Sequence, residues 1–184
     1  MSSSSSIYSN SSIYTPFPLL RTFLMKTLFL TAKLLTGTPE AECLALNMYF
    51  EARNQNIAGL LAVTNVVYNR VRDKRYPNTV CEVVQQAPTR LSWKNNGIRY
   101  PIKNKCQFSW YCDGKSDKPT DIEAYNSILL LANKIIKGKV KYLDITDGAT
   151  HYHADYVLPS WASTKTRTVE INDHIFYRWE TVDD

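Results

Sequence analysis

The hydrophobic period changes once along this 184-residue chain, and that change limits the folds open to it. From Thr38 to Gly138 apolar residues recur at helical spacing; beyond that the period falls to two. Thr38 can cap a helix with Pro39 in its first position, and Cys43, Leu44, Leu46, Met48 and Phe50 give it a broad apolar surface as far as Arg53. Asn54 to Asn56 break the pattern. A second helix is predicted from Ile57 to Asp73, with Leu61, Val63, Val66, Val67 and Val71 as its core side chains. Thr79 to Glu82 reads as a capping box opening a short third helix to Gln86. Thr120 to Glu123 is a second box, opening a helix to Lys137 that Gly138 closes. Ala149 to Ala154 then reads as a strand. Thr168 to Ile171 and Ile175 to Trp179 flank Asn172-Asp173, a hairpin signal. The expected fold class is therefore α+β, mainly helical with a small antiparallel β element near the C-terminus.

The length suits one domain, expected over residues 37 to 180. Residues 1 to 14 are serine-rich and read as disordered. Arg21, Lys26 and Lys33 interrupt the apolar stretch from 17 to 35, which argues against stable membrane insertion. Met25 opens a short apolar run that faintly resembles a signal peptide, but Lys33 breaks it. We read Met25 as the natural start, with residues 1 to 36 a mis-started or disordered leader and the export route open. A net charge of +5 draws the chain toward polyanions such as nucleic acid, anionic lipid or bacterial wall. No dense Lys/Arg block with interleaved aromatics appears, so a nucleic-acid partner is not expected. Cys43, Cys81, Cys106 and Cys112 form no C-x-x-C pair, which argues against a zinc ribbon. Cys106 and Cys112 are near enough to close a small disulfide loop, or both can be buried thiols.

Three constellations carry chemistry. In Tyr49-Phe50-Glu51-Ala52-Arg53 a carboxylate stands on an apolar helix end beside two aromatics, where desolvation raises a pKa. A carboxyl group protonated near neutral pH is what a poorly basic leaving oxygen needs. The plainer reading pairs Glu51 with Arg53 or turns it to water. The second constellation is Cys106 to Gly114, within a loop-like stretch from 87 to 119 that is long enough to be functional. Its Gln107, Phe108 and Ser109 offer an amide, a ring face and a hydroxyl, although the same aromatics can simply pin the loop. The third is Gly148 to Asp155 followed by Pro159-Ser160-Trp161. His151 and His153, two apart, share one face of a strand, where they can hold a metal or a substrate, while Tyr152 points the other way.

These segments together resemble the cell wall hydrolases of the spore-cortex-lytic (SleB-like) family. Leu46 to Arg70, with Tyr49, Glu51-Ala52-Arg53, Gly59, Ala62-Val63 and Asn69-Arg70, is similar to the family's opening motif, and Pro77 to Val80 continues it. Cys106 to Ser109 with Cys112 to Lys115 resembles the middle motif. Gly148 to His153, Pro159, Trp161 and Asp173-His174-x-Phe176-Tyr177-Arg178 resemble the end. The resemblance covers about residues 38 to 178, in order. It implies a lysozyme-like, lytic-transglycosylase-like fold and cleavage of peptidoglycan glycan strands between N-acetylmuramic acid and N-acetylglucosamine. It also implies Glu51 as the catalytic residue.

Hydrolytic glycosidases generally use two carboxylates. Asp113 and Asp155 lie in motif regions but neither stands out, so a single-acid transglycosylation fits better. The expected substrate-binding set is Arg53, Gln107, Phe108, Ser109, His151, Tyr152, His153 and Trp161, with no cofactor and no metal. The expected protein is a monomer acting in the cell wall or periplasm. Two other readings stay open: a metal-dependent amidase or peptidase using His151 and His153, and a non-catalytic wall-binding module.

Overall fold

A computed structural model describes residues 37–180 apart from 95, 96 and 142. The serine-rich leader and Met25 lie outside the described residues. The elements are α1 (Pro39–Ala52), α2 (Ile57–Arg72), α3 (Val80–Val84), β1 (Thr89–Leu91), β2 (Arg99–Pro101), α4 (Ile122–Ile136), β3 (His151–Ala154), β4 (Thr166–Ile171) and β5 (His174–Arg178), with 3-10 turns at Ser109–Cys112 and Ala162–Thr164.

Helix α1 is the centre of the fold. Thr38 caps it by accepting from the Ala41 amide at 3.3 Å, and Glu40 and Glu42 complement its N-terminal dipole. It buries Leu44, Met48 and Tyr49 completely, packing against α2, α3 and α4 at once. The Tyr49 hydroxyl receives the Asp121 amide at 2.9 Å and the Thr120 amide at 3.1 Å, tying α1 to the start of α4. This moves the predicted second capping box. Thr120 is occupied by Tyr49, so Asp121 becomes the cap, accepting from the Ala124 amide at 3.0 Å.

Strands β3, β5 and β4 form one antiparallel sheet in that order, with His151 opposite Tyr177 and His153 opposite Ile175. The sheet docks on α2 through a reciprocal amide pair: Asn56 and Asn172 exchange hydrogen bonds of 3.1 and 3.0 Å. Gly59 makes this possible, because a Cβ there would lie 2.8 Å from the Asn172 amide nitrogen. Asn69 and Arg70, consecutive on α2, hold the chain entering β3 by donating to the carbonyls of Ala149 at 3.0 Å and Thr150 at 2.7 Å.

Two expectations need correction. The stretch from 87 to 119 is not all loop: it contains the β1–β2 hairpin and a 3-10 turn. Three-residue strands with every residue of β1 exposed leave no alternating signal to read. Strand β3 begins at His151, two residues later than predicted, because Ala149 and Thr150 give their carbonyls to α2.

Both cysteine pairs are disulfides. Cys106 joins Cys112, and Cys43 joins Cys81 across 38 residues, stapling α1 to α3. The second pairing was invisible in the sequence because the spacing between helices carries no pattern. Closing a loop of that length restricts the unfolded chain by about 4 kcal/mol on the entropic account. The Cys43→Ala/Cys81→Ala variant should therefore lose about 2–4 kcal/mol in a urea melt; an unchanged midpoint would mean that the staple does not form.

Candidate active site

Glu51 stands in the last turn of α1, where the helix meets the sheet. The Tyr152 hydroxyl, on β3, donates to its Oε2 at 2.9 Å. Burial pushes the Glu51 carboxyl above the usual carboxylate range, while the Tyr152 hydrogen bond and the positive charge of Arg70 pull the other way. Burial and the adjacent Glu51 raise the Tyr152 phenol well above its ordinary value, so it remains a donor throughout the working pH range. Arg70 is itself buried. It lies over the rings of Tyr76 and Phe108 at 5.3 and 5.1 Å, and its Nη1 has no hydrogen-bond partner among the described residues.

Two cavities of about 460 Å³ each open beside Glu51. The first is lined by Gln107, Phe108, Ser109, His151, Tyr152, His153 and Trp161, together with Arg70, Tyr156 and His174. The second is lined by Arg53, Gln55, Lys118, Tyr156, Asp173 and His174. Every residue expected from the sequence to bind substrate thus lines one of the two. Arg53 does so on the cationic side, and it does not pair with Glu51: its Nη1 donates to the Tyr49 hydroxyl at 2.7 Å. The loop carrying Gln107 to Ser109 is pinned to α1, where Phe50 stacks on Trp110 at 4.9 Å and the Trp110 indole donates to buried Asn47 at 3.1 Å.

His151 and His153 share a face, as the strand period predicts, and both rings contact Trp161, at 5.2 and 5.7 Å. Tyr152 points away from them, packing on His174 at 4.8 Å and on core Phe176 at 5.5 Å. The two histidines differ in duty. Burial, with Arg70, Lys165 and Arg75 nearby, lowers His151 to about 3, so it is a neutral hydrogen-bonding group at neutral pH. His153 donates through Nδ1 to the Ala154 carbonyl at 2.8 Å, and its Nε2 lies 3.1 Å from the Tyr177 hydroxyl. Both of its nitrogens are engaged by neighbouring groups in this arrangement. Among the described residues no three His, Cys, Asp or Glu side chains converge as a metal site.

Arg70, Asp173 and His174 were read from the sequence only as motif residues with no role in the site, and Tyr156 was not singled out. Arg70 had a readable signal, since it continues the buried face of Val63, Val66 and Val67 where a cation is out of place. His174 is brought in by the Asn56–Asn172 pairing and by Gln55, whose amide nitrogen lies 3.1 Å from its Nδ1. Asp113 and Asp155 line neither cavity; Asp173 is the carboxylate that shares one with Glu51. A larger cavity of about 700 Å³ beside Trp179 does not include Glu51. Its carboxylates, Asp73 and Glu180, are held below the usual range by hydrogen bonds from Arg75 and Arg178, the wrong direction for an acid catalyst.

The sequence profile described as Cell Wall Hydrolase matches residues 54–177, beginning just after Glu51 and including Arg70, the 106–112 loop and all of β3 to His174. Two solved structures are similar. The catalytic domain of the Bacillus cereus SleB protein is 26% identical, with 76% of this chain and 89% of that one covered at a TM-score of 0.52. The catalytic domain of the germination-specific lytic transglycosylase SleB from Bacillus anthracis is 25% identical, covering 78% of this chain and 97% of that one at a TM-score of 0.51. No curated protein matches the chain. With two thirds of its length inside that profile and both structural relatives spanned almost entirely, this chain belongs to the Cell Wall Hydrolase family.

Proposed function

We propose that the protein cleaves peptidoglycan glycan strands between N-acetylmuramic acid and N-acetylglucosamine as a lytic transglycosylase, with Glu51 as both acid and base. The observation that carries this reading is the state of Glu51: a carboxyl raised by burial, held by one phenol, at the junction of two cavities. Its likeness to a lytic transglycosylase from Bacillus anthracis points the same way.

In the first half of the reaction Glu51 gives its proton to the glycosidic oxygen as the bond to muramic C1 breaks. The N-acetylglucosamine fragment leaves with a free hydroxyl. The Glu51 carboxylate then takes the proton of the muramic C6 hydroxyl while O6 bonds to C1. The product is a 1,6-anhydro sugar, no water is consumed, and the carboxyl is regenerated. Tyr152 and Arg70 serve the second half, because each stabilises the carboxylate that burial alone would disfavour. Neutral His151, with Gln107 and Ser109, offers hydrogen bonds to sugar hydroxyls and acetamides; Trp161 offers a ring face, and buried Phe108 backs the wall beneath Arg70. Arg53 and Lys118 give the second cavity a positive wall for the carboxylates of stem peptides. We place the enzyme's action at the cell wall.

Digested sacculi should yield 1,6-anhydro ends by mass spectrometry; products one water heavier would make the enzyme a hydrolase. Asp173→Asn should then leave activity largely intact, since only a hydrolase needs a second carboxylate. Glu51→Gln should lower activity by about 10²–10⁴-fold. A raised native pKa contributes stability below the unfolded value that is lost as pH rises through the native one. Glu51→Gln should therefore equal the wild type in stability near pH 4 and exceed it at neutral pH, and a lower melting temperature at neutral pH would give Glu51 a structural role instead. Tyr152→Phe removes a contact that lowers the Glu51 pKa, so the alkaline limb of its kcat/KM profile should move to higher pH as kcat falls about tenfold. Activity should persist in excess chelator, whereas a metal-dependent amidase would lose it.

A further inference from the structure

The β1–β2 hairpin takes no part in the site around Glu51. Its two strands form a sheet of their own, and a two-stranded ribbon is marginal in water unless something covers it. Here the large apolar side chains point outward: Trp93 is 87% exposed and Leu91 61% exposed, with Ile98 and Tyr100 also open. The register sets Arg90 opposite Tyr100 and Leu91 opposite Arg99, so each face of the ribbon pairs a cation with an apolar group. Lys94 lies 4.8 Å from the Trp93 ring.

The charge of this region is one-sided. No acidic residue occurs between Glu82 and Asp113, and Arg90, Lys94, Arg99, Lys103 and Lys105 account for the chain's whole formal charge of +5. The hairpin is also concave, with a hollow of about 500 Å³ lined by Arg90, Leu91, Ser92, Trp93, Lys94 and Tyr100. It joins the cleft wall directly. The Ile102 amide bonds the Pro88 carbonyl at 2.9 Å, the Gln107 amide bonds the Gln86 carbonyl at 3.0 Å, and Gln107 lines the cavity beside Glu51.

We propose that the hairpin is a second binding surface for peptidoglycan, holding a stretch of the polymer outside the cleft. Trp93 and Tyr100 present rings to its sugars, and Arg90 and Lys94 meet the carboxylates of its stem peptides. The acid-free charge complements those carboxylates, and the hollow suits a polymer segment better than a flat bilayer. The proposal rests on the reading of peptidoglycan as the substrate.

Binding is measured on the full chain carrying Glu51→Gln, so that the polymer stays intact, by co-sedimentation with purified sacculi. Trp93→Ala and the pair Arg90→Ser/Lys94→Ser should each weaken retention roughly tenfold at low salt. Added salt should narrow the gap for the charge variant and not for Trp93→Ala. In the active enzyme the same substitutions should slow clearance of sacculi while leaving turnover of soluble two-disaccharide glycan fragments unchanged. Unchanged co-sedimentation overturns the proposal and leaves the cleavage reading standing. Parallel loss on soluble fragments also overturns it, since the hairpin would then act through the cleft or the fold. If the substitutions spare sacculi and instead abolish binding to vesicles of anionic phospholipid, the partner is a lipid surface and the proposal fails. Absence of any glycan cleavage by the wild type would sink the cleavage reading itself.

Discussion

A buried guanidinium sits where the helical part, the sheet and the cysteine loop of this protein meet. Arg70 reaches from α2 to the Thr150 carbonyl, lies between Tyr76 and Phe108, and exerts its charge on both Glu51 and Tyr152. Taking a cation out of water is costly, and burial does lower the Arg70 pKa. One carbonyl, two ring faces and a partial share of Glu51 offset that cost. The arrangement couples stability to chemistry, because whatever replaced Arg70 would loosen the entry to β3 and leave Glu51 with less support for its ionised form.

The cleft divides by chemistry as well as by position. On one side of Glu51 are rings, a neutral histidine and uncharged hydrogen-bonding groups, backed by the buried Arg70; on the other are Arg53, Lys118 and Asp173. A polymer that alternates amide-bearing sugars with charged peptide branches is matched by such a division. His174 and Tyr156 belong to both sides, so the sheet and the loop after β3 contribute to each.

Much of this was legible in the sequence, for identifiable reasons. The helices declared themselves through period, and α1 also through its cap at Thr38; the cap of α2 at Asn56 was read only as a break in the pattern. Glu51 was visible as a carboxylate on an apolar helix end, but its local pattern also allowed a salt bridge and only the family resemblance singled it out; the His-Tyr-His strand showed through its two-residue spacing. The Cys43–Cys81 staple, the cap at Asp121 and the place of Asp173 could not be read, as each depends on which elements become neighbours. The β1–β2 hairpin escaped for the opposite reason: with no buried face, it imposes no alternation.

Helix α1 also bears on Glu51 through its direction. Glu51 occupies the final turn, which contains no basic residue; Arg53, at the cap, turns its guanidinium to the Tyr49 hydroxyl. The backbone dipoles of the helix therefore present their negative pole to the carboxyl, worth about 0.3–1 kcal/mol against ionisation in ordinary settings. Reversing the chain through the same core would present amide hydrogens instead and stabilise the anion. The polarity of the helix thus helps to keep the proton on Glu51 before any substrate arrives.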